Sequence, residues 1–332
     1  MVFLPAYGRT GAALLRIYNV ATALKPLGWR SVVIPPRLTL AQRLRFLDRL
    51  QPDVIVMQGV RHDLNRPALY SDWPIVFDMD DADFHLPRFA APVADAMGQV
   101  ACVTAGARYL ADWCLGAGAP AAKVVWTGTP PSTEVASPAV RRAPVVAWAQ
   151  TRPMTYTREA AMVAEVMRGL AARRPGVTLR LYDRRAGDDP GFRDLFHAPG
   201  LTVEWVESCG YDAYLASFDD VAVGLAPLAP ETPFSRGKSF GKVLAYLDRQ
   251  VPVVGSASGE HGQFFTDKTG VITNDLAAWV DALDRLLGDA SERQAMAEAA
   301  HGAFLDRLTT RAAAAAMDAV LCACLPRRVA WA

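Results

Sequence analysis

Phe234-Ser235-Arg236-Gly237-Lys238-Ser239-Phe240-Gly241-Lys242, running through Val243 to Asp248 into Val251-Pro252-Val253-Val254, holds most of the architectural information in this chain. A basic loop leads into a helical segment, and that segment into a short unbroken apolar run. Such a run suits a strand covered on both faces, as in a parallel sheet flanked by helices. Arg236, Lys238 and Ser239 cluster where the helix is expected to begin, with Lys242 one turn further on the same face. Donors at a helix start, backed by fixed cations, suit a diphosphate. A solvated basic face is the plainer alternative, and the bracketing prolines and buried strand count against it. The Gly-Lys-Ser triplet is not a phosphate-binding loop of the G-x-x-x-x-G-K type, because Thr232 stands where the first glycine belongs.

The same β/α rhythm extends in both directions. Strands are expected over 145–148, 177–182, 203–205, 221–225, 251–254 and 270–272, and three closing helices over 276–287, 291–305 and 311–324. Towards the start, strands are expected over 2–4, 32–34, 54–57, 75–77, 100–104 and 124–126, with helices over 11–27, 39–50 and 105–115. Between the halves lies a proline-rich stretch, Thr129-Pro130-Pro131-Ser132-Thr133 with Ser137-Pro138 and Arg142-Ala143-Pro144, the best linker candidate. The expectation is an α/β protein of two doubly wound, Rossmann-like domains, over 1–135 and 145–308, facing across a cleft. Ligands of such sheets bind beyond the carboxyl ends of the strands, which selects the loops to inspect.

Composition narrows the classes. Of 332 residues, 52% are hydrophobic and 21% charged, enough for a full core and too apolar for disorder. A formal charge of +1 argues against a nucleic-acid partner. No run of 18 uncharged apolar residues occurs, and the strand-like Val2-Phe3-Leu4 leads us to expect no cleavable leader; the five cysteines form no CxxC pair and no zinc spacing. A reduced, cytoplasmic protein without a metal is expected. Leu40 to Leu50, with Arg43, Arg45 and Arg49, forms a basic amphipathic segment; peripheral membrane contact is the most it offers, and packing of its apolar stripe on the sheet is the commoner outcome.

Three further loops could carry chemistry. Ala6-Tyr7-Gly8-Arg9-Thr10-Gly11 places Gly8 and Gly11 between the first strand and helix, where backbone N–H groups can approach an anion or form an ordinary turn. Asp78-Met79-Asp80-Asp81-Ala82-Asp83-Phe84-His85 follows a strand directly. Its carboxylates need solvent, a cation or donors, and suit a general base, acceptors for sugar hydroxyls or, less well, a metal. The alternative is a solvated acidic loop. Arg152 and Arg158, around an expected N-cap at Thr157, suggest an anionic partner, because arginine is unfavourable in a first helical turn.

Lys238-Ser239-x-x-Lys242-x-x-x-Tyr246, with Val251-Pro252-Val253-Val254 at its distance, resembles the second domain of glycosyltransferase family 4, the retaining transferases of GT-B fold, in its bacterial KSxxK-type branch. Leu225-Ala226-Pro227-Leu228, Gly270-Val271-Ile272, Trp279-Val280, Leu286-Leu287, Arg293 and Met296 match in order; Phe3-Leu4-Pro5, Leu15-Arg16-Ile17 and Asp80-Asp81 resemble the opening strand, first helix and acidic loop. The resemblance implies a hexosyltransferase-like enzyme that moves a sugar from a nucleotide-sugar donor, with retention, to a hydroxyl of a glycan, lipid-linked or protein acceptor. The nucleotide sugar is then a co-substrate, and no cofactor is implied. Arg152, Arg158, Lys238, Ser239, Gly8 and Gly11 fall at donor-diphosphate positions. Arg236, Lys242, Glu260 and His261 fall near the donor sugar or nucleotide, and Asp80, Asp81 and His85 in the catalytic loop. Residues 309–332 would cross back to the first domain. One departure stands out: the family's E-x7-E glutamates are replaced by Gly237 and Ala245. A carboxylate–hydroxyl hydrogen bond lost there costs about 1.5–3 kcal/mol, so a non-catalytic nucleotide-sugar or glycan-binding relative is the alternative. An epimerase or hydrolase on the same scaffold is a third reading, disfavoured by the missing carboxylate. Serine or cysteine nucleophile chemistry finds no histidine partner in the sequence.

Overall fold

The computed structural model describes residues 1–133 and 138–324; Ser137 of the expected linker and residues 325–332 of the expected crossing segment lie outside them. The described residues form two six-stranded, all-parallel sheets. The first contains β1 (Val2–Leu4), β2 (Val32–Val33), β3 (Ile55–Gln58), β4 (Ile75–Met79), β5 (Cys102–Ala105) and β6 (Ala122–Val124), in the order β2-β1-β3-β4-β5-β6. The second contains β7 (Val145–Trp148), β8 (Val177–Tyr182), β9 (Leu201–Val206), β10 (Val221–Ala226), β11 (Val253–Gly255) and β12 (Val271–Ile272), in the order β12-β11-β10-β7-β8-β9. The run beginning at Val251 pairs only from Val253, since Pro252 has no N–H to give a ladder, although its carbonyl still accepts from Gly224.

The chain divides into two compact units. One comprises Met1–Pro130, Pro233–Gly241 and the chain from Arg307 on; the other comprises Pro131–Thr232 and Lys242–Asp306. The segment Pro233–Gly241, expected in the second domain, therefore belongs with the first sheet.

In the first unit the strand period of two sorts side chains onto two buried faces. Val2, Leu4, Ile55, Met57, Ile75, Phe77, Met79 and Val103 share one core, which helices Leu40–Leu50, Pro87–Met97 and Arg108–Gly116 also enter. Phe3, Val56, Val76 and Cys102 share the other with Ile17, Val20 and Ala313, Ala314, Met317 and Leu321 of helix Thr310–Cys324. The alanines let that last helix lie close, and Trp29 Nε1 donates to its Asp318 at 2.6 Å. Arg43 is not on a solvent face as the basic-helix reading supposed. It is fully buried and donates to Asn65 Oδ1, Tyr70 and the Pro36 carbonyl. Helix Leu40–Leu50 thus carries two exposed arginines, Arg45 and Arg49, rather than three.

In the second unit Tyr246 is the central staple. Its ring lies where a side chain on Gly224 would stand, 2.6 Å from an added Cβ, while its hydroxyl donates to the Ala147 carbonyl and accepts from the Ala149 N–H. The tyrosine of the KSxxK pattern thus fixes the carboxyl end of β7 against β10. Helices Thr157–Arg173 and Leu276–Gly288 cover the other face, around Val146, Trp148, Leu179, Leu283 and Leu286.

Candidate functional site

The carboxyl end of β4 positions the acidic loop. Alternation places Asp78 on the same face as Val76, beneath the first helix, whose widened π-type turn Leu14–Tyr18 carries Arg16. Both are buried, at 3% and 0% exposure, and form a bidentate pair: Nε donates to Oδ2 at 2.9 Å and Nη2 to Oδ1 at 2.6 Å. Thr104, on β5, adds a donor to Oδ1 at 2.8 Å. A buried charge pair persists only when its remaining donors are used, and Arg16 Nη1 completes the set on the Val125 carbonyl and Thr127 Oγ1, at 2.8 and 3.0 Å. Burial depresses the Arg16 pKa, Asp78 raises it, and the balance keeps this guanidinium firmly charged.

Beyond Asp78 the loop turns outward. Asp81 accepts from Lys238 and from Arg61, each at 2.7 Å; Arg61 also grips Asp83 at 2.5 and 2.8 Å. Asp80 is left with a hydroxyl: Thr127 donates to its Oδ1 at 3.0 Å, and Arg16 stands 3.8 Å away. The two neighbours are consequently tuned apart. Burial raises the pKa of Asp80, and Arg16 does not offset it against the added repulsion of Asp81 and Asp78. Burial pulls Asp81 the same way, but Lys238 and Arg61 outweigh it and hold Asp81 below the ordinary value. Adjacent carboxyls set apart in this way divide into a fixed anion and a proton acceptor. The cluster sets four carboxylates against Arg16, Arg61 and Lys238, leaving one excess negative charge, and so suits a hydroxyl-bearing ligand better than a diphosphate.

His85 lies at the exposed end of the loop, 2.7 Å from the Tyr109 hydroxyl; partial burial and Arg236 lower its pKa. Gly8 lies as expected between β1 and the first helix, and Gly11 is the first residue of that helix. Gly11 has a left-handed φ of +49°, and Thr10 N–H closes a tight turn on the Gly8 carbonyl at 2.7 Å.

Lys238 and Ser239 do not begin a helix. They lie between helix Pro233–Arg236 and helix Leu244–Asp248, so Lys242 shares no helical face with them and stands in the turn before the latter. Phe234 packs on the first core, Phe240 is buried edge-on to Trp126 at 5.1 Å, and Gly237 comes so close to Ala82 and Leu110 that a Cβ would stand 2.8 and 2.7 Å from their side chains. These apolar anchors override the helical pattern. Lys238 accordingly fixes Asp81, and Ser239 Oγ is buried without a hydrogen-bond partner among the described residues.

In the second unit, Arg152 follows β7 in a left-handed conformation, φ +57°, and is exposed. Arg158 pairs with Glu231 at 2.8 Å, both more than half exposed, and Lys242 Nζ donates to Thr151 Oγ1 at 3.0 Å. Glu260 and His261, expected near the donor, are each 2% exposed. His261 Nδ1 lies 3.2 Å from the Ser256 carbonyl, and burial lowers its pKa to about 4. Among the described residues, no group of three or more His, Cys, Asp or Glu side chains is arranged to hold a metal ion, and no helix is long and apolar enough to cross a membrane.

Arg61, Thr127 and Gly106 were not singled out by the sequence. Arg61 follows β3 by three residues and Thr127 follows β6 by three, so inspection of every carboxyl-end loop would have reached both. Gly106, after β5, has a visible role only in space: a Cβ there would stand 3.0 Å from Asp80 Oδ1.

No protein-family profile and no curated protein matches the chain. Solved structures do. The structure of HepE from Anabaena in complex with UDP-glucose aligns at 14% identity and TM-score 0.69, over 97% of this chain and 99% of that one. Sucrose-phosphate synthase from Thermosynechococcus elongatus aligns at 11% identity and TM-score 0.68, over 97% and 98%. The lipopolysaccharide outer core galactosyltransferase WaaB in its apo form aligns at 12% identity and TM-score 0.67, over 98% and 99%. At these identities the likeness is one of architecture, and over nearly its whole length the chain has the GT-B fold of glycosyltransferases.

Proposed function

We propose that the chain is a glycosyltransferase of the family 4 type, transferring a sugar from a nucleotide-sugar donor to a hydroxyl of a glycan, lipid-linked or protein acceptor. The observation that carries this reading is the whole-length match of both sheets to HepE, whose structure was determined with UDP-glucose. Arg152, Arg158 and Lys242, at or near the carboxyl end of β7, are the cations proposed to receive the donor diphosphate. Asp80 is proposed to accept the hydrogen bond of the attacking hydroxyl and to take its proton as the bond from acceptor oxygen to sugar carbon forms and the diphosphate departs. Asp81, held ionised by Lys238 and Arg61, and the Arg16–Asp78 pair keep the loop in place. The chemistry is then positioning and electrostatic stabilisation rather than covalent catalysis. Retention is the expected stereochemistry, with the hydroxyl attacking the face that the diphosphate leaves, and is read from the anomeric proton of the product by NMR; inversion would instead make the attack in line with the departing diphosphate, with Asp80 taking the proton in either case.

A second reading, a non-catalytic sugar-nucleotide or glycan-binding protein, draws on Gly237 and Ala245. Gly237 has no room for any side chain, and Ala245 is buried. A thermal-shift panel of UDP, GDP, ADP, dTDP and CMP separates the readings from an unrelated role. A ligand at 100 times its dissociation constant adds about 2.7 kcal/mol to the folded state. Stabilisation by one nucleoside diphosphate, lost in Arg158→Ala, supports donor binding. Turnover of the corresponding nucleotide sugar then distinguishes the transferase from the binding protein, and no shift at millimolar nucleotide sinks the transferase reading.

A further inference from the structure

We propose that Thr127 is a positioning residue for Asp80, the middle of a one-way hydrogen-bond relay Arg16–Thr127–Asp80 that leaves the second carboxylate oxygen of Asp80 to the attacking hydroxyl. The purpose of the relay rests on the reading of Asp80 given above; its existence does not.

The direction follows from donor counting. A threonine hydroxyl has one proton and two lone pairs, and a guanidinium only donates. Arg16 Nη1 donates to Thr127 Oγ1 at 3.0 Å, so Oγ1 receives there and its single proton goes to Asp80 Oδ1, also at 3.0 Å. Arg16 cannot swing away, because Asp78 holds its Nε and Nη2 and the Val125 carbonyl shares Nη1. Thr127 is 2% exposed, so solvent does not compete for the hydroxyl. Among the described residues nothing hydrogen-bonds Asp80 Oδ2, and a quarter of the side chain is exposed. Gly106 keeps the space: a Cβ on it would stand 3.0 Å from Asp80 Oδ1 and 3.4 Å from Arg16 Nη1. The charged groups facing Asp80 are Arg16 on the first helix, Asp78 on β4, Asp81 in the loop and Lys238 on the segment Pro233–Gly241. Thr127 adds the uncharged donor that favours the ionised form.

The test is the titration of Asp80 in the full chain carrying ¹³C at the aspartate carboxyl carbons, its resonance assigned by its loss in Asp80→Asn. Thr127→Val, near-isosteric and without the donor, is expected to move the midpoint up by about one pH unit, and Thr127→Ser to return it. Should the valine variant fail to fold, Thr127→Ala removes the same donor with no crowding and takes its place. An unmoved midpoint overturns the relay, and so does a serine variant that behaves like valine, which would make the residue a packing element only. The catalytic purpose is read separately, with UDP-glucose hydrolysis as the probe reaction. The acid limb of the pH–rate profile should move up with the titration in Thr127→Val, kcat falling more than KM changes. If Asp80→Asn hydrolyses UDP-glucose like the parent while Thr127→Val still shifts the titration, the base role of Asp80 is overturned and with it that purpose.

Discussion

The carboxyl edges of the two sheets hold their charges in opposite ways. Around β4 the cations are committed to carboxylates of the same unit through short contacts, from the buried Arg16–Asp78 pair to Lys238 on Asp81. Near β7 the cations are exposed: Arg158 meets Glu231 with more than half of each side chain in solvent, and Lys242, also exposed, donates to the Thr151 hydroxyl. Charges locked inside a fold give rigidity and a shaped reaction site. Cations held loosely at a surface keep most of their attraction for an anion from outside. On the proposed reading, the first edge holds a geometry and the second receives the charge of the donor diphosphate.

The strongest way to break this contrast is Arg16→Met. It leaves the fully buried Asp78 without its partner, and loss of one member of a buried pair costs about 3–5 kcal/mol. Urea unfolding should show that loss; a drop below 1 kcal/mol would mean that water reaches Asp78 and that the first edge is no more rigid than the second. Arg16→Met combined with Asp78→Leu should recover much of the deficit, since replacing the whole pair removes the desolvation cost on both sides.

Acidification tests the interior of the second unit. His261 is buried in its neutral form, with a pKa lowered to about 4 against about 6.5 in the unfolded chain. The unfolded state binds the proton first, so this contribution is complete above pH 6.5 and is lost as the pH falls towards 4. The full swing is about 3 kcal/mol. His261→Phe should flatten that part of the profile of melting temperature against pH between 7 and 4. An unchanged slope would place the acid sensitivity elsewhere, and the raised carboxyl of Asp248 does not substitute for it, because its linkage has the opposite sign.

How far this was legible from sequence depends on which force sets each feature. The strands were visible because burial on both sheet faces demands unbroken apolar runs, and Val145–Trp148 and Val177–Tyr182 fall where the pattern puts them. The acidic loop was visible because a strand end fixes its place. Its pairing was not. Arg16 looks like one basic residue on an amphipathic helix, and only the alternation of Val76, Asp78 and Asp80 in three dimensions turns it inward. Lys238 departs from its expected helix start for a related reason: the sequence shows its charge and its helical context, whereas Phe234, Phe240 and the close approach of Gly237 decide where the segment packs. His261 falls in the loop after the motif's strand, and position relative to a motif carries no information on burial.

Gly237 sharpens the comparison at a smaller scale. Gly237→Ala sets a methyl against Ala82 and Leu110, and overpacking of that kind costs about 1–3 kcal/mol. Leu110 can yield at its tip; Ala82 and its backbone cannot, so the loop carrying Asp81 and Asp83 should shift and loosen the Lys238 contact. Gly237→Glu, which introduces the glutamate of the glycosyltransferase family 4 pattern that this chain resembles, should destabilise further and gain no nucleotide affinity. A glutamate variant that folds normally and binds UDP more tightly would show that the segment repacks freely and that its tie to the first unit is weak.

The smallest effect on stability is expected where the effect on binding is clearest. Arg158→Ala removes a pair that is mostly in solvent, and such pairs contribute about 0–1 kcal/mol, so the urea midpoint should barely move. If the second edge receives the donor diphosphate, the same substitution removes a charge-assisted contact of about 1.5–3 kcal/mol. The dissociation constant for the stabilising nucleotide should then rise about tenfold or more. Glu231→Ala is the counterpart: it frees Arg158 from its competitor and should leave nucleotide affinity unchanged or raise it. Calorimetric titration of both variants decides the matter. Equal weakening by the two would make the pair a structural clasp, whereas opposite signs would establish Arg158 as a cation held in reserve for an incoming anion.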